Sequence, residues 1–129
     1  MTSRGLADTT VFIARESGRP LDTASLPAEV AVSVITIGEL RAGVLAASTA
    51  DVRERRLRTY EAALHLEPIA VDGEVADAWA RLRIMLRDAG RRMPVNDSWI
   101  AATALALGVP VVTQDEDFPD ITGLDVICV

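Results

Sequence analysis

Apolar positions recur at helical spacing in four stretches, with short β-branched runs between them. Val75, Trp79, Leu82 and Leu86 fall at i, i+4, i+7 and i+11, which predicts an amphipathic helix. Asp72–Gly73 turns the chain into that helix and Ala89–Gly90 ends it. Ile37, Leu40, Val44 and Leu45 predict a second helix starting at Thr36, where Thr36-x-x-Glu39 has the form of a capping box. Leu57, Tyr60 and Leu64 mark a third over Asp51–Leu66. The fourth, Val95–Leu107 (VNDSWIAATALAL), is apolar on nearly every face and belongs in a domain interior, with Asp97 at its mouth and Gly108 as a stop. The runs at Gly5–Ala7, Glu29–Ile35, Pro68–Val71, Val109–Thr113 and Leu124–Val129 read as strands, and Val11–Ile13 as an apolar turn or short helix. Strands alternating with helices predict an α/β fold with a mostly parallel sheet of about five strands.

Composition narrows the chemistry. At 129 residues the chain is read as one domain, residues 1–129, with half its residues apolar and a quarter charged. No apolar run is long enough to span a bilayer, and the start MTSRGLADTT lacks the apolar stretch of a leader, so the expected location is the cytoplasm, away from membranes. The single cysteine, Cys128, is expected to be a buried strand thiol, and no thiolate metal cage can be built from it. The single histidine, His65, reads as a surface or packing residue and excludes a multi-histidine zinc site. There is no lysine, which removes Schiff-base chemistry and the P-loop. The net charge of −6 disfavours nonspecific nucleic-acid binding by the surface as a whole. A nucleic-acid substrate needs a local arginine stripe or a metal.

In α/β folds, ligands bind at the carboxyl ends of the strands. At least three of Asp8, Glu39, Asp97 and Asp115 lie on that edge of the sheet by topology. Each has a structural role to fill: Asp8 and Asp97 as N-caps, Glu39 as the capping-box partner of Thr36, Asp115 as a turn former. Together, carboxylates forced into one place repel and must take up protons or a cation. An all-oxygen site suits Mg²⁺ or Mn²⁺, and such ions support in-line hydrolysis of phosphodiesters. A receiver-type signalling domain normally has a late active-site lysine, and none is present. A metal-dependent phosphatase of the haloacid-dehalogenase kind has a second acid two residues after the first, where this chain has Thr10.

Four segments carry a family resemblance: Leu6-Ala-Asp8-Thr-Thr10, Ser33-Val-Ile-Thr-Ile-Gly-Glu39-Leu40, Asn96-Asp97-Ser-Trp-Ile-Ala-Ala102 and Val112-Thr-Gln-Asp115-Glu-Asp-Phe118. In this order and spacing the chain resembles PIN-domain ribonucleases, most closely the VapC-type toxins of bacterial toxin–antitoxin pairs. The resemblance implies a three-layer α/β/α domain and an Mg²⁺- or Mn²⁺-dependent endoribonuclease acting on RNA, with tRNA and rRNA as target classes. It places Asp8, Glu39, Asp97 and Asp115 at the metal site, with Asp8 and Asp97 as the direct ligands and Glu39 and Asp115 acting through water or orienting the nucleophile. Thr113 and Ser33 match supporting polar positions, and Asp117 is a second claimant in the last motif. Thr10 stands where Asn or Ser is common. The resemblance also implies a homodimer, a cognate VapB-type antitoxin and a toxin–antitoxin hetero-oligomer. The helices at Thr36–Ala47 and Asp51–Leu66 suit the antitoxin groove or the dimer contact. Arg81, Arg83, Arg87, Arg91 and Arg92 are placed to track RNA phosphates, Arg87, Arg91 and Arg92 foremost. No stacking platform for bases is legible among two Trp, two Phe and one Tyr. A non-catalytic PIN-like protein that only binds a partner stays open as the other class.

Overall fold

Strand β1 (Arg4–Ala7) supplies the centre of the sheet because Gly5, Leu6 and Ala7 are small or apolar and buried. In the computed structural model, which describes residues 3–129, it pairs in parallel with β2 (Glu29–Val32) on one side and β3 (Val111–Thr113) on the other. β4 (Val126–Cys128) pairs in parallel with β3, giving the order β2-β1-β3-β4. Met1 and Thr2, the first residues of the stretch read as lacking a leader, lie outside the described residues. Gly5 is required where it stands: a Cβ there would meet Val112 Cγ2 at 2.7 Å and Pro27 Cγ at 2.8 Å.

Alternation along the strands splits the interior into two layers. Leu6 and Val111 point to one face, against Leu82 and Leu86 of α4 (Gly73–Asp88) and Ile100, Ala101 and Ala104 of α5 (Val95–Leu107). Ala7 and Val112 point to the other, against Val11 of α1 (Thr9–Glu16), with Leu21, Leu26 and Ile127 around them. Burying each of the larger side chains stabilises the fold by roughly 1.5–3 kcal/mol. The expected α/β/α layering is present. Helices α2 (Val34–Leu45) and α3 (Ala50–Leu64) pack on each other, and α3 leans on α1.

Several expectations need correction. The sheet has four strands where about five were expected. Pro68–Val71 is reduced to one parallel bridge, Ser33 to Ile69, held by Ile69 N–H to Val32 O (2.8 Å) and Val34 N–H to Ile69 O (3.1 Å). Pro68 has no N–H to give, and Asp72 already caps α4, so no length is left for a ladder. The second strand ends at Val32, and α2 begins at Val34, two residues before Thr36. Its cap is Ser33, whose hydroxyl accepts from Ile35 N–H at 3.0 Å, so the Thr36–Glu39 capping box does not form. Leu45, placed on the apolar stripe, is 69% exposed. Cys128 is exposed, because β4 is an edge strand and Cys128 is its last residue. Asp97 is no N-cap: Pro94 holds the cap position and Asp97 is the third residue of α5. Gly108, in the left-handed region at φ 67°, ends α5 as expected.

Candidate active site

The chain leaves β1 in one direction to reach β2 and places β3 on the opposite side, so the strand order reverses between β1 and β3. Ligands of open parallel sheets bind outside the carboxyl ends at such a switch point. Asp8 follows β1 there, and Gln114 and Asp115 follow β3.

Asp8 is 3% exposed and caps α1, as the sequence suggested. Its Oδ1 accepts from Thr10 N–H at 3.0 Å and also from the Thr10 hydroxyl. Because that hydroxyl donates to Asp8, it is free to accept Gln114 N–H at 2.9 Å. Thr113 Oγ1 lies 3.3 Å from it and accepts Asp115 N–H at 3.0 Å. Thr10 and Thr113 therefore stitch the ends of β1 and β3 together around the carboxylate. Burial pushes the Asp8 carboxyl above its ordinary value, and the hydrogen bonds from Thr10 and Thr113 pull it part of the way back.

Glu39 lies in the second turn of α2 and is held by a different threonine. Thr9 Oγ1 donates to Glu39 Oε1 at 2.6 Å. With that proton committed, the 3.0 Å contact between Thr9 Oγ1 and the fully buried Thr36 Oγ1 has Thr36 as donor. Thr36 thus serves Glu39 through a hydroxyl relay and not through a helix cap. Thr9 is not singled out in the sequence, where its signal is adjacency to Asp8, and Thr36 is singled out only as the cap of a box with Glu39.

Asp97 is half-buried and accepts no hydrogen bond among the described residues. Its carboxyl is pushed up first by burial, then by the negative charges of Asp8, Glu39 and Asp115. The four acids thus converge closely enough for three of them to be felt at the fourth. Asp117 is not among the charges that act on Asp97. It is exposed, and its N–H caps Asp115 Oδ1 at 2.9 Å in a tight turn. Ser33 is fully buried and starts the helix that carries Glu39, but bonds to none of the four acids.

The donor set is all oxygen and carries four formal negative charges, which fits Mg²⁺ or Mn²⁺. Among the described residues no three Asp, Glu, His or Cys side chains stand close enough to cage a cation alone. An ion held there would keep several waters and take one or two carboxylates together with substrate phosphate, as Mg²⁺ ordinarily does.

Beside this site runs a basic groove of about 580 Å³ between α4 and the start of α5, lined by Trp79, Arg83, Arg87, Arg91, Arg92 and Ser98 among others. Arg87 pairs with Asp88 at 3.2 Å, and Arg91 donates to Asp120 O at 2.7 Å. Trp79 and Trp99 stack in parallel, with centroids 4.2 Å apart and planes within 2°. Trp79 Nε1–H donates to Ser98 Oγ at 3.0 Å, and Ser98 Oγ–H to Val95 O at 2.5 Å. The tryptophan pair had read in the sequence as core packing.

A buried cap aspartate stands at the switch point of the parallel sheet, and its charge reaches Asp97 together with those of Glu39 and Asp115. The chain belongs to the PIN domain family, which it matches over residues 6–124. It is 53% identical to Ribonuclease VapC5 of Mycobacterium tuberculosis over 119 residues, covering 92% of this chain and 88% of that protein. Ribonuclease VapC4 of the same organism is 48% identical over 126 residues, covering 98% and 97%. The fold overlays on the crystal structure of VapBC-5 from Mycobacterium tuberculosis, a member of the VapBC family of toxin–antitoxin systems, with a TM-score of 0.89 at 46% identity, covering 98% and 99% of the two chains.

Proposed function

We propose that the chain is the toxin of a toxin–antitoxin pair: an endoribonuclease, dependent on Mg²⁺ or Mn²⁺, that hydrolyses phosphodiester bonds of cytoplasmic RNA, tRNA and rRNA being the target classes. The observation that carries the reading is the convergence of Asp8, Glu39 and Asp115 on Asp97 at the β1/β3 switch point. Kinship with proteins named as ribonucleases and with a solved toxin–antitoxin assembly supports it.

In this reading Asp8 and Asp97 would hold the cation directly. A bound divalent ion lowers the pKa of its water and offsets the charge that builds on the phosphate. Asp8 is rigid because Thr10 fixes its Oδ1. Glu39 Oε1 is committed to Thr9, which leaves Oε2 to orient the attacking water. Asp115, on the exposed turn after β3, would complete the set, acting through water. Arg87, Arg91 and Arg92 bind the phosphates of the RNA strand.

The cleft of about 230 Å³ at Ile13, Glu39, Leu40 and Arg56, between α1, α2 and α3, is the proposed seat of a VapB-type antitoxin segment that closes the acid site. The toxin acts as a homodimer and is stored with the antitoxin as a hetero-oligomer.

The test is cleavage of total RNA by the purified chain with Mg²⁺ or Mn²⁺, with EDTA, and by Asp8→Asn and Asp97→Asn. Both variants are expected to stay folded and to lose cleavage. Equal cleavage by the variants, or by the parent in EDTA, overturns the metal-site reading. Growth arrest on expression, relieved by the product of a small neighbouring gene, is the expected outcome in cells. Folded, metal-loaded protein that cuts no RNA marks a protein that only binds a partner.

A further inference from the structure

The basic groove contains a feature that phosphate tracking does not require. Trp99 fills one face of the Trp79 indole at 4.2 Å. The Arg83 guanidinium carbon lies 4.9 Å from the Trp79 ring centroid, on the face that remains. Trp99, Trp79 and Arg83 therefore follow one another, two stacked indoles and then a cation over the second. Arg83 is exposed and lines the groove, and among the described residues it has no carboxylate partner. Arg81, two residues earlier, is tied to Asp77 at 2.8 Å. The stack is held in orientation by the Trp79–Ser98 hydrogen bond, and Ser98 directly follows Asp97. Trp79, over which Arg83 lies, is thus fixed relative to the turn that carries an acid of the active site.

We infer that Arg83, backed by the Trp79–Trp99 pair, is a stacking platform for an unpaired RNA base, and that the groove admits a single strand on its way to the acid site. This rests on the ribonuclease reading above. Guanidinium planes stack on splayed-out bases as aromatic rings do. A paired base inside a duplex has both faces covered by its neighbours and offers none to Arg83. Arg87, Arg91 and Arg92 line the same groove and supply the complementary charge for the backbone on either side of the stacked base. The platform gives an acidic protein a local reason to hold RNA.

The chain has no tryptophans besides Trp79 and Trp99, so indole emission reports directly on the stack. The experiment titrates the full chain, in EDTA to prevent cleavage, with a single-stranded RNA hexamer, its abasic analogue, the same sequence as a duplex, and a poly-glutamate peptide of equal charge. Arg83→Lys keeps the charge and loses the plane; Arg83→Ala loses both. The hexamer is expected to change the emission and to bind about tenfold more tightly than the abasic analogue, as stacking of one base implies. Arg83→Lys is expected to lose that tenfold for the hexamer while binding the abasic analogue within twofold of the parent. Unchanged hexamer affinity in Arg83→Lys overturns the platform, as does a duplex that binds as tightly as the single strand. Tighter binding of poly-glutamate than of the hexamer also overturns it and makes the groove a protein-docking surface. The expected binding pattern in a protein that cuts no RNA with Mg²⁺ supports the platform while removing the nuclease reading. Cleavage that is indifferent to Arg83→Lys does the reverse.

Discussion

Asp97 and Ser98 are neighbours on the first turn of α5 and serve two regions built in different ways. Asp97 sits among three other carboxylates, in a site whose inner acids are fixed by the hydroxyls of buried Thr9 and half-buried Thr10. Ser98 braces Trp79 at the edge of a groove whose working side chains are exposed arginines. The acid region concentrates like charge in partial burial, which is electrostatically costly without a cation. The arginine region spreads its charge over solvent and a π-face, where each cation costs little. One region is organised for chemistry, the other for holding a polyanion, and a single helical turn sets their separation.

Removing Asp97 separates them most sharply. Asp97→Asn is expected to lower cleavage by about a thousandfold or more, since it deletes a direct ligand, while changing the affinity for RNA in EDTA by less than a few fold. Loss of RNA affinity equal to the loss of cleavage would mean that the two regions act as one.

The inner acids test how much of the acid region depends on its hydroxyl scaffold. Thr9→Val keeps the shape of the side chain and removes the proton given to Glu39. Cleavage is expected to fall about tenfold and stability by about 1 kcal/mol, the net worth of a buried hydrogen bond. Thr9→Ser is expected to recover most of both, measured by initial rates and urea melts. If Thr9→Val lost stability and kept its rate, Thr9 would be a packing residue only.

This scaffold also shows where the sequence was legible. Val95–Leu107, the Val75–Leu86 stripe and the four acids were visible because each rests on local periodicity or on an ordered motif. The Thr36–Glu39 pattern misled, because the same spacing that forms a capping box also puts a threonine on the buried face of a helix already capped by Ser33. Val34 and Ile35 are β-branched and read as strand, but tertiary packing and the Ser33 cap placed them in the first turn of α2. The Trp79–Trp99 stack was invisible because it joins two helices through space, and each tryptophan alone satisfies its own apolar stripe. Asp115 and Asp117 could not be told apart from spacing. In the structure the two share one turn, with the Asp117 N–H donating to Asp115 Oδ1.

The groove should respond weakly and in a different currency. Arg92→Ala is expected to reduce RNA affinity by a few fold at low salt and to shorten the slope of log affinity against log salt by roughly one ion per lost phosphate contact, with kcat nearly unchanged. A fall in kcat with an unaltered salt slope would place Arg92 in the acid region.

The smallest effect concerns stability without metal. Asp8 and Asp97 both hold their protons more readily in the folded chain than their ordinary carboxyl value of 3.8 implies. The native state therefore binds more protons than the unfolded state as pH rises from that value through the raised ones, so this pair's contribution to stability falls across the window and levels off above it. The difference between two proteins that share every other titratable group is the cleaner measure. In EDTA, the Tm of Asp97→Asn minus that of the parent is expected to grow as pH rises through this window, because the variant lacks one of the repelling charges. With saturating Mg²⁺ the sign is expected to reverse, since the parent gains a cation that the variant holds poorly. A difference that stays flat with pH and is indifferent to Mg²⁺ would mean that Asp97 is solvated like any surface acid, and the contrast with the arginine groove would then rest on geometry alone.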